Sequence, residues 1–224
     1  MRDRPILFSA PMIRAILADT KTQTRRVVKS MMDRDIGCPL APCELAGEIN
    51  RGEYRNSPYG YPGDRLWVRE AFRFAASLDR LSPSDVGEKA LDAGYSTPWA
   101  PTQFEADGAR AGAWIGFDTP PTITAPGKLR PGIHMPRWAS RITLDITGVR
   151  VERLQQITPA DAHAEGIPVR GCLSCGEPEP CGCSFPHSAS IDDFRNLWRD
   201  INGAGSWEDN PWVWVVEFGR VKRC

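Results

Sequence analysis

The chain lacks three things whose absence narrows its function. It has no excess of one charge: 28 Lys plus Arg stand against 28 Asp plus Glu, a formal net charge of zero. A protein that coats long stretches of phosphate backbone carries a clear positive surplus, so extended nucleic-acid binding is disfavoured. It has no apolar run approaching the ~20 residues a membrane helix needs. Its start, Met1-Arg2-Asp3-Arg4-Pro5, is followed by no apolar leader segment, so a soluble, cytoplasmic protein is expected.

What is abundant is equally informative. Twenty prolines and 20 glycines make up about 18% of the 224 residues, against an average of about 12%, which implies many turns or long connections. Seven cysteines without a secretory leader read as thiols or metal ligands rather than disulfides.

Local patterns define the elements. Ser9, Pro11 and the apolar spacing of Met12, Ile13, Ile16 and Leu17 predict a short helix over about 10–18. Lys21 to Val28 reads as a loop entering a strand. Pro62-Gly63-Asp64 is a turn before the strand Leu66-Trp67-Val68-Arg69. Strand alternation returns at Ile142, Leu144 and Ile146, then at Val149 and Val151. Thr158-Pro159-Ala160-Asp161 is a capping box for a short helix closed by Gly166. Ser190 and Asp193 repeat the box before Phe194, Leu197, Trp198 and Ile201, and Trp212 to Phe218 is an apolar strand. This order predicts an α+β fold on a small, closed sheet.

Two polar constellations carry chemistry. The first is Lys21-Thr22-Gln23-Thr24-Arg25-Arg26. It reads either as a solvated cationic connection or as a nucleophile site, in which a desolvated lysine takes the proton of a threonine hydroxyl. The second is Cys172-Leu173-Ser174-Cys175 with Cys181-Gly182-Cys183. Four thiols within twelve residues predict a structural zinc site, with a redox or disulfide pair, or four thiols without a role, as the alternatives, and with His187 able to replace one cysteine. Cys38 and Cys43 read as ordinary thiols.

The helix from Ile13 to Ala18 with the Lys21–Arg26 turn resembles the start of ASCH-domain proteins, relatives of the PUA fold. Pro62–Glu70, His134–Arg141, Ile142–Val149 and Pro211–Phe218 extend the likeness to the longer bacterial and phage members. The resemblance implies a small PUA-like β-barrel with flanking short helices. One domain over 1–224 is expected, with residues 5–29, 62–72, 140–167 and 190–220 in the barrel. Residues 76–133 are an insertion outside it, and 168–189 a cysteine-rich loop.

The best-understood small members are amidohydrolases that deacylate N4-acetylcytidine, and the resemblance places their catalytic set at Lys21, Thr24 and Glu165. Asp19-Thr20 stands where the family has glycine-arginine. Hydrolysis of the amide of an N4-acylated cytosine nucleoside is thus the expected activity, with no cofactor for catalysis. Thr24 would attack, and either Lys21 or Glu165 would be the base. Turn amides would hold the oxyanion. Arg25, Arg26, Tyr61, Trp67 and Trp138 are candidate substrate contacts, the aromatics by stacking on a nucleobase. An RNA or modified-base binding module and an ASCH-type ribonuclease are the rival readings. No membrane partner is expected, and a monomer is favoured.

Overall fold

A computed structural model describes residues 1–111, 125–169, 171–177, 181–183 and 189–222. In chain order the elements are β1 (Asp3–Leu7), α1 (Ala10–Leu17), β2 (Gln23–Val27), β3 (Met31–Met32), β4 (Pro39–Leu40), α2 (Pro42–Asn50), β5 (Arg65–Arg69) and β6 (Phe72–Phe74). Then follow α3 (Pro83–Asp92), β7 (Thr102–Phe104), β8 (Arg110–Ala111), β9 (Thr143–Arg153), α4 (Pro159–Ala164), α5 (Ala189–Asn202) and β10 (Trp212–Arg220), with single 3₁₀ turns between some of them. The fold is mixed α+β. Five strands form one sheet in the order β1-β5-β9-β10-β2, and among the described residues no ladder closes it into a barrel.

The chain divides into two compact units. The first comprises Met1–Arg2, Ala15–Arg65 and Asp145–Arg220. Its central ladder pairs β2 with β10 antiparallel, setting Thr24 opposite Val216 and Arg26 opposite Trp214. Leu154, Ile157, Ala162, Phe194, Trp198, Val213 and Val215 make its core, so α4 and α5 bury their apolar faces on β10. The α4 box forms as the sequence predicts: the Asp161 amide donates to the Thr158 hydroxyl and the Thr158 amide to the Asp161 carboxylate.

The helix after the cysteine loop differs from expectation at its start. It begins at Ala189, so Ser190 lies inside the first turn rather than at the cap. Its hydroxyl is fully buried and meets His163 Nε2 at 3.3 Å. A serine that finds a partner on another helix has no need to cap its own.

The second unit comprises Asp3–Arg14, Leu66–Leu144 and Val221–Cys224. Phe72, Phe74, Val86, Ala100, Phe104, Met135 and Ala139 form its core. Residues of the proline- and glycine-rich stretch 76–133 therefore pack together with the strand before it and the turns after it. Within that stretch Ser82 caps α3 by accepting from the Asp85 amide, and Trp99 stacks on Tyr95 with centroids 5.3 Å apart. Trp114 and Phe117, expected to anchor the insertion, lie outside the described residues.

Candidate active site

The expected lysine turn is built by the exit from α1. Asp19 takes a left-handed backbone (φ +56°), a conformation glycine adopts at least cost and aspartate tolerates better than most residues. The Arg220 guanidinium holds its carboxylate at 2.9 and 3.1 Å. Asp19 is thereby pinned in this turn. The chain then doubles back, with the Thr20 and Lys21 amides both donating to the Ala15 carbonyl and the Thr22 amide to that of Ala164. The turn amides are thereby all engaged. They are not available as donors to a bound ligand.

This turn drives Lys21 inward. Lys21, Thr24 and Glu165 are only 2%, 0% and 6% exposed, which removes the reading of a solvated cationic connection. Glu165 sits at the C-terminal end of α4, and Lys21 Nζ donates to its Oε2 at 2.6 Å and to its backbone carbonyl at 2.9 Å. Gly166, at φ +95°, follows the acid, and a side chain there would crowd Ala15 and the Lys21 Cβ.

Burial pulls the Lys21 ammonium below the ordinary lysine value. Glu165 opposes that pull, while Arg26 and Arg25 add to it. A buried lysine with a depressed affinity for protons is the form of lysine that can act as a base.

Thr24 and Arg26 point to one face of β2, Gln23 and Arg25 to the other, by the two-residue period of a strand. On the first face Arg26 Nη1 donates to Thr24 Oγ1 at 2.7 Å. Among the described residues no hydrogen bond joins Lys21 Nζ to Thr24 Oγ1. Tyr59 is electrostatically coupled to Arg26, and its ring meets Trp214 edge-on at 6.0 Å. Burial, against the pull of Arg26, pushes the Tyr59 phenol up, so it stays protonated.

On the other face Arg25 reaches three carboxylates: Glu152 at 2.7 Å, Asp161 at 3.4 Å and Glu165 at 3.4 Å. Its guanidinium lies 5.9 Å from the centre of the Phe194 ring. Arg150 extends the network to Glu152 at 2.9 Å, Asp161 at 2.7 Å and Glu217. Burial raises Asp161, but its Thr158 hydrogen bonds, Arg25 and Arg150 outweigh that and hold it below the usual carboxylate range.

Lys21, Glu165, Arg25 and Arg26 thus converge, and Thr24 joins them through Arg26. Sequence reasoning missed Glu152, Arg150, Asp161 and Glu217 as members. Arg150 and Glu152 stood two apart on one strand face, which was the available signal. Tyr61 is half exposed and lies 6.4 Å from the Tyr54 ring. Trp67 and Trp138 belong to the second unit. Arg69 and Arg137 lie over the Trp67 ring at 4.7 and 6.0 Å, and Trp138 stacks on Phe74 at 5.6 Å with planes 6° apart. Those rings already have partners of the kind a nucleobase would be.

His163 is structural by its contacts. One ring nitrogen faces the Ile167 carbonyl at 3.1 Å and the other the Ser190 hydroxyl, which fixes the proton on Nδ1. Elsewhere in the unit, the sulfurs of Cys172, Cys175, Cys181 and Cys183 all lie within 4.8 Å of one another and can hold a metal ion. His187 lies outside the described residues, while Cys38 and Cys43 are exposed free thiols. No helix among the described residues is long and apolar enough to cross a membrane. No family model, curated protein or solved structure matches the chain.

Proposed function

We propose that this chain is an amidohydrolase of ASCH type that removes the acyl group from N4-acylated cytosine nucleosides. The observation that carries the reading is the buried Lys21–Glu165 pair, with its lowered lysine, three residues before a buried threonine whose oxygen receives an arginine N–H. In this reading the acyl carbon enters next to Thr24. Lys21, neutral in the reactive form, takes the hydroxyl proton as Thr24 Oγ1 bonds to the acyl carbon. The bond from that carbon to N4 breaks, and the proton reaches N4 through the Lys21–Glu165 contact, releasing the cytosine amine. Water then hydrolyses the threonyl ester and restores the hydroxyl.

Arg26 takes the part first given to the turn amides. In this reading the guanidinium that meets Thr24 Oγ1 in the free protein turns to the acyl oxygen, where negative charge grows during attack, and a donor placed there lowers the barrier. Glu165 acts mainly through Lys21, since the carboxylate binds the ammonium rather than the threonine. The strand order β1-β5-β9-β10-β2 is compatible with an ASCH-type barrel closed beyond the described ladders. The four-thiol cluster, taken as a structural zinc site, has four protein ligands, leaves no open position and takes no part in this chemistry.

The test is a substrate panel. N4-acetylcytidine incubated with the full chain should yield cytidine and acetate by chromatography, with turnover lost in Thr24→Ala. No release of cytidine, together with retention of labelled single-stranded RNA, would replace this reading with the binding module; cleavage of that RNA would replace it with the ribonuclease.

A further inference from the structure

The cysteine-rich loop holds a feature that amide hydrolysis does not use. Its first half is already folded as a ligand turn. Gly176 N–H donates to the Cys172 carbonyl at 2.7 Å, and Cys172 N–H donates to the Glu177 carbonyl at 2.7 Å. Gly176 adopts φ +79°, which lets the chain reverse directly after the second cysteine. Gly171 is needed for a different reason, because a Cβ there would overlap the Gly176 carbonyl. Two glycines and two backbone hydrogen bonds thus aim Cys172 and Cys175 at one point.

The second pair closes on the same point. Cys183 Sγ lies 3.7 Å from Cys172 Sγ and 3.2 Å from Cys181 Sγ. Four sulfurs around a tetrahedral zinc, each at about 2.3 Å, stand about 3.8 Å apart, so the observed spacing needs only small adjustment. Cys172 is buried, whereas Leu173 is exposed, so the loop has turned a thiol inward and left an apolar side chain in water. Metal ligation accounts for a loop that turns this thiol towards the other three.

We propose that Cys172, Cys175, Cys181 and Cys183 form a closed tetrathiolate site for one zinc ion, with the Cys172–Gly176 turn as its preformed half. Thiolate ligands select zinc over the oxygen-seeking divalent ions magnesium, calcium and manganese. The ion divides the long connection between α4 and α5 into shorter loops, so its binding energy holds a segment with little apolar core of its own. The site stands independently of the amidohydrolase reading.

The experiment measures metal directly, on the full chain. Protein purified without chelator should contain about one zinc per chain by mass spectrometry of the metal. Cobalt exchanged for zinc should give the intense sulfur-to-metal absorption and visible bands of a tetrahedral thiolate site. Gly171→Ala retains every thiol but disrupts the turn. It should weaken zinc about 10- to 100-fold against a chromophoric chelator, the range typical of lost support around a ligand set. The Cys181→Ser, Cys183→Ser double variant should abolish the cobalt thiolate spectrum. The proposal is overturned if wild-type protein carries no zinc and gives no such spectrum, or if the spectrum survives in the double variant. Equal zinc affinity in Gly171→Ala would overturn the preformed half. None of these readings depends on turnover, so failure of the amidase assay leaves them intact.

Discussion

Replacing Glu165 with glutamine tests the electrostatics of the candidate site most sharply. Glutamine keeps the size and the ability to accept from Lys21 Nζ, now 2.6 Å away, but removes the charge. At a pH where Lys21 is protonated, the variant leaves a buried ammonium without its closest counter-charge, and Arg25 keeps only Glu152 and Asp161. Breaking a buried pair from one side costs about 3–5 kcal/mol. The cost has a ceiling set by pH, because the lysine can shed its proton. Glu165 raises the Lys21 pKa, so its loss lowers the folded value below that of the wild type, which already lies under the unfolded value.

Between the variant's folded pKa and the wild type's, the unfolded variant binds one proton more than the folded variant, while the wild type gains none. Variant stability must therefore rise with pH, relative to wild type, by about 1.4 kcal/mol per pH unit in that window. Urea denaturation of both proteins from pH 6 to pH 9.5 reads this difference. The penalty should be largest at the acid end and shrink towards the alkaline end. A penalty of constant size across the series would refute a buried, charge-coupled lysine.

Three further outcomes follow from the same geometry. Thr24→Ala and Lys21→Arg should each reduce deacylation by at least about 10²-fold with wild-type circular dichroism, the second because a guanidinium cannot accept a proton; retention of most of the rate by either would reject the assigned roles. Gly166→Ala forces a side chain into left-handed backbone against Lys21 and should cost about 1–3 kcal/mol in denaturant, together with a fall in turnover; an unchanged midpoint would contradict the close approach. Phe194→Ala should cost about 3–5 kcal/mol by thermal denaturation, since it empties the core beneath Arg25, and a loss under about 1 kcal/mol would show that the ring is not closely packed.

The sequence disclosed elements wherever a short-range signal was complete. The α4 box, the β10 apolar run and the α1 stripe each needed only local spacing. β9 shows a subtler agreement. Its buried residues run Leu144 and Ile146, then Val149 and Val151, so the inward face shifts by one residue at Thr147–Gly148, and that slip was already visible in the spacing of the apolar residues. α3 was missed although Ser82-Pro83-Ser84-Asp85 repeats the signature of Thr158 to Asp161, because the composition around it suggested only loop. α2 was missed for want of a polar cap at Ala41. At the site, Lys21 and Glu165 lie 144 residues apart, and no spacing rule connects them. The family resemblance put the two in one catalytic set, but their direct contact comes from the fold alone. The partners of Arg25 depended on the β2–β9–β10 neighbourhood, which only the fold supplies.

That neighbourhood also bears on what the site can accept. Lys21, Arg25, Arg26 and Arg150 are matched by Glu152, Asp161, Glu165 and Glu217, four cations against four carboxylates in one connected cluster. Each arginine charge on the Arg25 face is already committed to carboxylates at hydrogen-bond distance. A site that grips a phosphodiester needs cationic groups in excess, with donors left for phosphate oxygens. Arg26, on the Thr24 face, already donates to the threonine and feels the charge of Glu165. An uncharged amide asks for no more than that: one donor where an oxyanion develops, one hydroxyl to attack, and one lysine able to lose its charge. The internal charge balance therefore weighs against a polyanion, for the same reason that the zero net charge of the whole chain does.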